Sequence, residues 1–225
     1  MPPPSASLAE PLPPEVELAL AHTPAGRRAA LRIVFELDQR LGRIVAGTSE
    51  PMLGQMRLAW WREMLGKPAA ERPRGDAVLD AIGEYWREGA RGLVPLVDGW
   101  EHILGGDRLG EAAIDAFAEG RAAALLDPFG GTAGLADKTM QSARSAAEQW
   151  ALADLASNVS DADERAIVIR RGLAKRVPAK RLPRELRGLA VLGALARRAL
   201  ERGGRPLLEG RGAALIAARA ALFGR

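Results

Sequence analysis

The chain is expected to be all-α, a single-domain helical bundle, on three observations. Ala and Leu supply much of its apolar content, and these side chains lose little rotamer freedom in a helix. β-Branched residues are scattered and nowhere alternate with polar ones over the length of a strand. Pro and Gly cut the sequence into helix-sized pieces. At 225 residues the chain suits one domain, which can bury roughly 70 % of its unfolded surface without staples. No repeat with a period of about 20 to 50 residues argues for a solenoid.

Residues 1–22 include Pro2, Pro3, Pro4, Pro11, Pro13 and Pro14 and read as an extended Pro-rich leader, ahead of a helical domain over 23–225. Thr23 is expected to N-cap a helix that opens at Pro24 and runs to about Ala46, where Gly47 stops it. Ser49 caps the next, with Glu50 and Pro51 in its first turn, extending to Gly66 and Pro68. Asp76 opens a third, ending near Gly89. Further helices are expected at about Leu93–Leu104, Arg108–Leu126, Lys138–Asn158, Ala162–Leu173, Arg184–Arg202 and Leu207–Phe223, with Asp107 and Asp137 as caps and Gly pairs as breaks.

Composition excludes several functional classes. With no Cys and two His, disulfide scaffolds, thiol nucleophiles, Cys-type zinc sites and iron–sulfur clusters are ruled out. An aromatic content of 4 % is too low for a base-stacking platform. The start, MPPPSASLAEPLPPE, has neither a basic n-region nor an apolar run, and no window of eighteen or more apolar residues suits a membrane span. The expected location is cytoplasmic, with peripheral attachment to the inner membrane.

Charge is unevenly placed. Residues 161–225 hold 16 Lys and Arg against 6 Asp and Glu, a net of +10, whereas residues 1–160 hold 16 against 22, a net of −6. Within the basic third, Arg170, Arg171, Lys175, Arg176, Lys180 and Arg181 are the candidates for binding an anionic surface, since each such charge near an anionic leaflet contributes about 1 kcal/mol. A solvated helical face is the plainer reading of the same pattern. Nothing in it resembles a specific nucleic-acid reader, so only non-specific phosphate affinity follows.

The Pro24–Ala46 segment contains an oddity. Leu31, Val34, Phe35, Leu41, Ile44 and Val45 trace an apolar stripe, and Asp38 falls on it. An inward carboxylate needs a cation, a hydrogen-bonding partner or a wet cavity. Arg28, Arg62 or a backbone N–H could satisfy it within an ordinary core.

The run from Arg27 to Leu65, RRAALRIVFELDQRLGRIVAGTSEPMLGQMRLAWWREML, carries paired arginines before an aromatic-bearing helix, a short turn, and a helix ending in Leu58-Ala59-Trp60-Trp61-Arg62. It resembles the amino-terminal helix pair of the squalene/phytoene synthase family, and Leu93–Leu104, LVPLVDGWEHIL, is similar to that family's central helix. The resemblance extends over most of residues 25–200, with the Trp-Trp-Arg stretch its specific part. It implies a bundle of the isoprenoid synthase type around a deep cavity, where two aspartate-rich helices hold Mg²⁺ ions against the diphosphate of prenyl substrates.

The sequence departs from the pattern at the metal positions. Aligning Phe35 with the family's aromatic puts Arg40, Leu41 and Ile44 where a DDxxD-type motif would supply carboxylates. Near the second motif, WALADLASNVSD offers Asp154 and Asp161 out of register, and Tyr-Leu-Pro becomes Arg181-Leu182-Pro183. Asp154, Asn158 and Asp161 share one face if the helix continues that far, which makes them weak metal candidates, but Asp161 is equally suited to cap the next helix. Asp76 and Asp80 mimic a DxxxD pair, but Asp76 is a natural N-cap. Asp38, Arg40, Arg43 and Trp60 are the cavity candidates for substrate binding, the arginines as metal-free diphosphate clamps.

Other motifs are weaker. Gly130–Thr139 lacks the Gly-Lys order and preceding strand of a phosphate loop, Asn158-Val159-Ser160 matches a glycosylation acceptor by chance, and His22 and His102 have no triad spacing. The expectation is therefore a degenerate member of the family without Mg²⁺ chemistry or any cofactor. Such a protein would act as an assembly factor or membrane accessory, similar to the branch that includes a mitochondrial factor for respiratory complex I. Its expected partners are an anionic membrane surface or a respiratory-complex assembly intermediate. The alternative is an active transferase condensing two prenyl diphosphates with Mg²⁺.

Overall fold

A computed structural model describes residues 11–105, 108–130, 136–175 and 181–224. Among them the chain forms a single all-α bundle with no strand, made of α1 (Pro14–Ala21), α2 (Ala25–Ala46), α3 (Pro51–Gly66), α4 (Ala77–Tyr85), α5 (Val94–His102), α6 (Glu111–Gly130), α7 (Asp137–Asn158), α8 (Ala162–Ala174), α9 (Arg187–Glu201) and α10 (Gly212–Phe223). Short 3-10 turns lead into α5 and α9.

α7 is the central element. It packs against α6, α8 and α9, and its middle, from Ala146 to Ala153, is buried without a break. That run is rich in Ala, so neighbouring backbones come close. A Cβ on Gly193 of α9 would lie 2.7 Å from the Ala146 Cβ. α5 and α6 cross closer still: a Cβ on Gly120 would lie 2.2 Å from the Pro95 carbonyl oxygen and 2.9 Å from the Gly99 Cα. Glycine is required there by contact, since both positions are helical.

Several local expectations change. The segment expected to be an extended leader to residue 22 is helical from Pro14, and Val16, Ala19 and Leu20 are buried. The proline run ends at Pro14, the helix's first residue, where a missing N–H costs nothing. Thr23 is not an N-cap. Its hydroxyl donates to the Ala19 carbonyl at 2.8 Å, serving the end of α1, and Pro24 holds the cap position of α2. Glu50, not Ser49, precedes α3, and Ala136, not Asp137, precedes α7. Asp107 lies outside the described residues.

α6 starts at Glu111 and continues to Gly130 through Pro128, past the expected end at Leu126. Asp76 does cap α4, accepting from the Val78 and Leu79 N–H groups at 3.0 Å each. No helix among the described residues is long and apolar enough to cross a membrane.

Candidate functional site: a cavity floored by a buried carboxylate–arginine bridge

The stripe on α2 carries Asp38 into the interior, where it is 6 % exposed. Its partner comes from α6. Arg121 Nη2 donates to Asp38 Oδ2 at 2.5 Å, and Nη1 donates to Asp154 Oδ2 on α7 at 2.7 Å. The Trp100 indole N–H, from α5, donates to Asp38 Oδ1 at 2.8 Å. Four helices thus converge on one guanidinium. Arg28 instead donates to the Thr23 carbonyl, and Arg62 pairs with Asp98 at 2.6 Å and with Glu101.

The Arg121 side chain is 2 % exposed and is enclosed by rings, its Cζ lying 4.1 Å from the Trp150 centroid, 5.1 Å from Phe117 and 5.2 Å from Trp100. The aromatic faces supply cation–π attraction where water is excluded. Burial works to lower the Arg121 pKa, but the Asp38 and Asp154 carboxylates outweigh it and hold the guanidinium charged. Burial pushes the Asp38 carboxyl above its usual range, against the pull of Arg121.

Above this bridge lies a cavity of about 430 Å³. Phe35, Trp100, Phe117 and Trp150 form much of its inner wall, while Val45 and Ala46 of α2, Ile103 after α5, and Asn158 and Val159 at the end of α7 line its outer part. Pro13, Glu15 and Val16 also line it. Burial raises the Glu15 pKa, and the charge of Asp154 adds to the effect.

Among the sequence candidates, Asp38, Arg43, Asp154 and Asn158 line this cavity. Arg40 and Trp60 do not. Arg40 faces Asp76 at 3.6 Å and Trp60 lies 38 % exposed on α3, edge-to-face with Trp61. α7 ends at Asn158, and Asp161 caps α8 by accepting from the Glu164 N–H at 2.9 Å, so it does not continue the Asp154–Asn158 face. Asp80 accepts from the Gly75 N–H at 3.0 Å.

Sequence reasoning missed Arg121, Trp100 and Glu15. For Arg121 a signal existed, an arginine followed directly by the apolar run Ala122–Leu126. Glu15 lies in a segment whose prolines point to an extended leader, where no site residue is expected.

The donor set does not fit a Mg²⁺ cluster. Among the described residues no group of three or more His, Cys, Asp or Glu could hold a metal ion. The two carboxylates that face one another, Asp38 and Asp154, are bridged by Arg121, a cation already seated between them.

The basic candidates are largely engaged. Arg170 pairs with Glu111 at 2.5 Å, Arg171 with Asp115 and Glu111, and Lys175 with Glu148 at 3.0 Å and Asp115 at 3.7 Å. The exposed Arg181 guanidinium stands 5.8 Å from the Phe223 ring, and Arg176 and Lys180 lie outside the described residues.

Compared with protein-family models, with curated proteins and with solved structures, the chain matches none.

Proposed function

We propose that the chain is a non-catalytic relative of the squalene/phytoene synthases, with a bundle of the isoprenoid synthase type, serving as an assembly factor or membrane-accessory protein. The observation that carries the loss of catalysis is the Asp38–Arg121–Asp154 bridge. In a prenyl diphosphate synthase, divalent ions held by facing carboxylates neutralise the departing diphosphate. Here one guanidinium holds both carboxylates, and their charge is no longer offered to a metal. Arg43 at the cavity could meet an anion, but one arginine does not replace a cluster of divalent ions across two helices. The assembly or accessory role rests on the resemblance to the degenerate branch of the family.

The test is incubation with farnesyl or geranylgeranyl diphosphate and Mg²⁺, following released diphosphate beside a calorimetric titration. The expected result is no metal-dependent release. Turnover that needs Mg²⁺ and is lost in Asp154→Ala would replace this reading with that of an active prenyltransferase.

A further inference from the structure

α10 packs Ala213, Ala217 and Ala220 against the bundle and turns large side chains outward. Leu215 is 75 % exposed, Leu222 71 % and Phe223 48 %. Arg211, Leu215, Arg219 and Leu222 follow one another at spacings of four, four and three residues, the stripe of a single helix face, and both arginines are exposed. Neither makes an ion pair with the described residues, in contrast to Arg170, Arg171 and Lys175. α10 contains no acidic residue, and the nearest acid before it in sequence, Glu209, is held by Arg205 at 2.7 Å. Arg181 joins the patch beside Phe223.

We infer that this face of α10 is the membrane-contacting surface of the protein, lying flat on an anionic leaflet with Leu215, Leu222 and Phe223 in the interface and Arg211, Arg219 and Arg181 at the phosphates. The inference deepens the membrane-accessory reading and rests on it. Leucine and phenylalanine beside arginines that form no ion pair with the described residues, on a helix with no acid of its own, suit an anionic lipid surface, where apolar burial and charge act together. Another exposed apolar stripe among the described residues, Met52, Met56 and Trp60 on α3, is flanked by both signs, Glu50, Arg57 and Glu63, so charge points to no occupant there.

The experiment is sedimentation of the full chain with phosphatidylcholine vesicles, with and without phosphatidylglycerol, at low and high salt. Wild type is expected to bind the anionic vesicles, less so at high salt. R211S/R219S is expected to lose about fivefold in partitioning per arginine, the equivalent of about 1 kcal/mol each, and L215S/L222S at least about tenfold. R170S/R171S, which removes the same net charge from paired positions, is expected to retain most of the binding. Helicity by circular dichroism checks that each variant is folded.

Anionic binding that survives both α10 double variants would overturn this assignment and leave the membrane reading standing, whereas a wild type that ignores anionic vesicles would remove both. A wild-type dimer by light scattering that L215S/L222S converts to a monomer would also overturn it, by giving the face to a second copy of the chain.

Discussion

Trp100 ties the Asp38 carboxylate to α5 through its indole N–H at 2.8 Å, while the same ring meets Phe117 of α6 edge-on at 5.0 Å. It is also wedged against α2, where a Cβ on Gly42 would lie 3.0 Å from its ring. One side chain therefore sets the spacing of three helices and satisfies the oxygen of Asp38 that Arg121 does not bond. Trp100→Phe removes the donor and shortens the bicyclic ring to a phenyl, and is expected to cost about 1–3 kcal/mol for the stranded oxygen together with a cavity term for the lost ring volume. Denaturant unfolding measures it, and a loss within error would show that water replaces the N–H.

Arg121 is expected to be the more sensitive position. Arg121→Met strands Asp38 in the interior and should destabilise the fold by about 3–5 kcal/mol. The double variant Arg121→Met/Asp38→Leu removes both buried charges and should be more stable than Arg121→Met alone. A double variant as unstable as the sum of the two singles would deny the coupling.

Glu15 predicts a pH dependence. Burial raises its folded-state pKa above that of the unfolded chain, so between the two values the folded state holds more protons, and stability falls as pH rises through that window. Glu15→Gln cannot ionise. At neutral pH it should be more stable than wild type, and the advantage should vanish once the pH drops below the ordinary Glu range. Melting curves at several pH values decide it, and an advantage that grows on acidification would reverse the sign.

Two glycines should respond in opposite directions. Gly120→Ala forces a methyl against the Pro95 carbonyl at the α5–α6 crossing and should cost about 1–3 kcal/mol or more. Gly26 sits in the first turn of α2 with nothing within 4 Å of a Cβ, and Gly26→Ala should stabilise by about 0.4–1 kcal/mol. Both are read from unfolding midpoints.

The helical pieces were legible because Pro and Gly sit between them, and the inward aim of Asp38 because a carboxylate on an apolar stripe has nowhere else to go. Its partner carried a weaker mark, the apolar run Ala122–Leu126 that follows it. Arg121 is 83 positions away on α6, a helix covered by α5, α7 and α2, and a helix covered on several sides has no polar face against which an inward charge stands out. The start of the fold was hidden by its composition: prolines suggested an extended arm through residue 22, yet Val16, Ala19 and Leu20 supply an apolar face that tertiary packing rewards. The engagement of Arg170, Arg171 and Lys175 by acids on α6 and α7 depends on pairings between distant helices that a count of charges along the chain does not contain.

α7 meets α6, α8 and α9 at once, so its backbone is uncovered only when several of its neighbours leave together. The amides around Ala151 are expected to be among the slowest to exchange with deuterated water, at a rate that approaches the gauge of global stability.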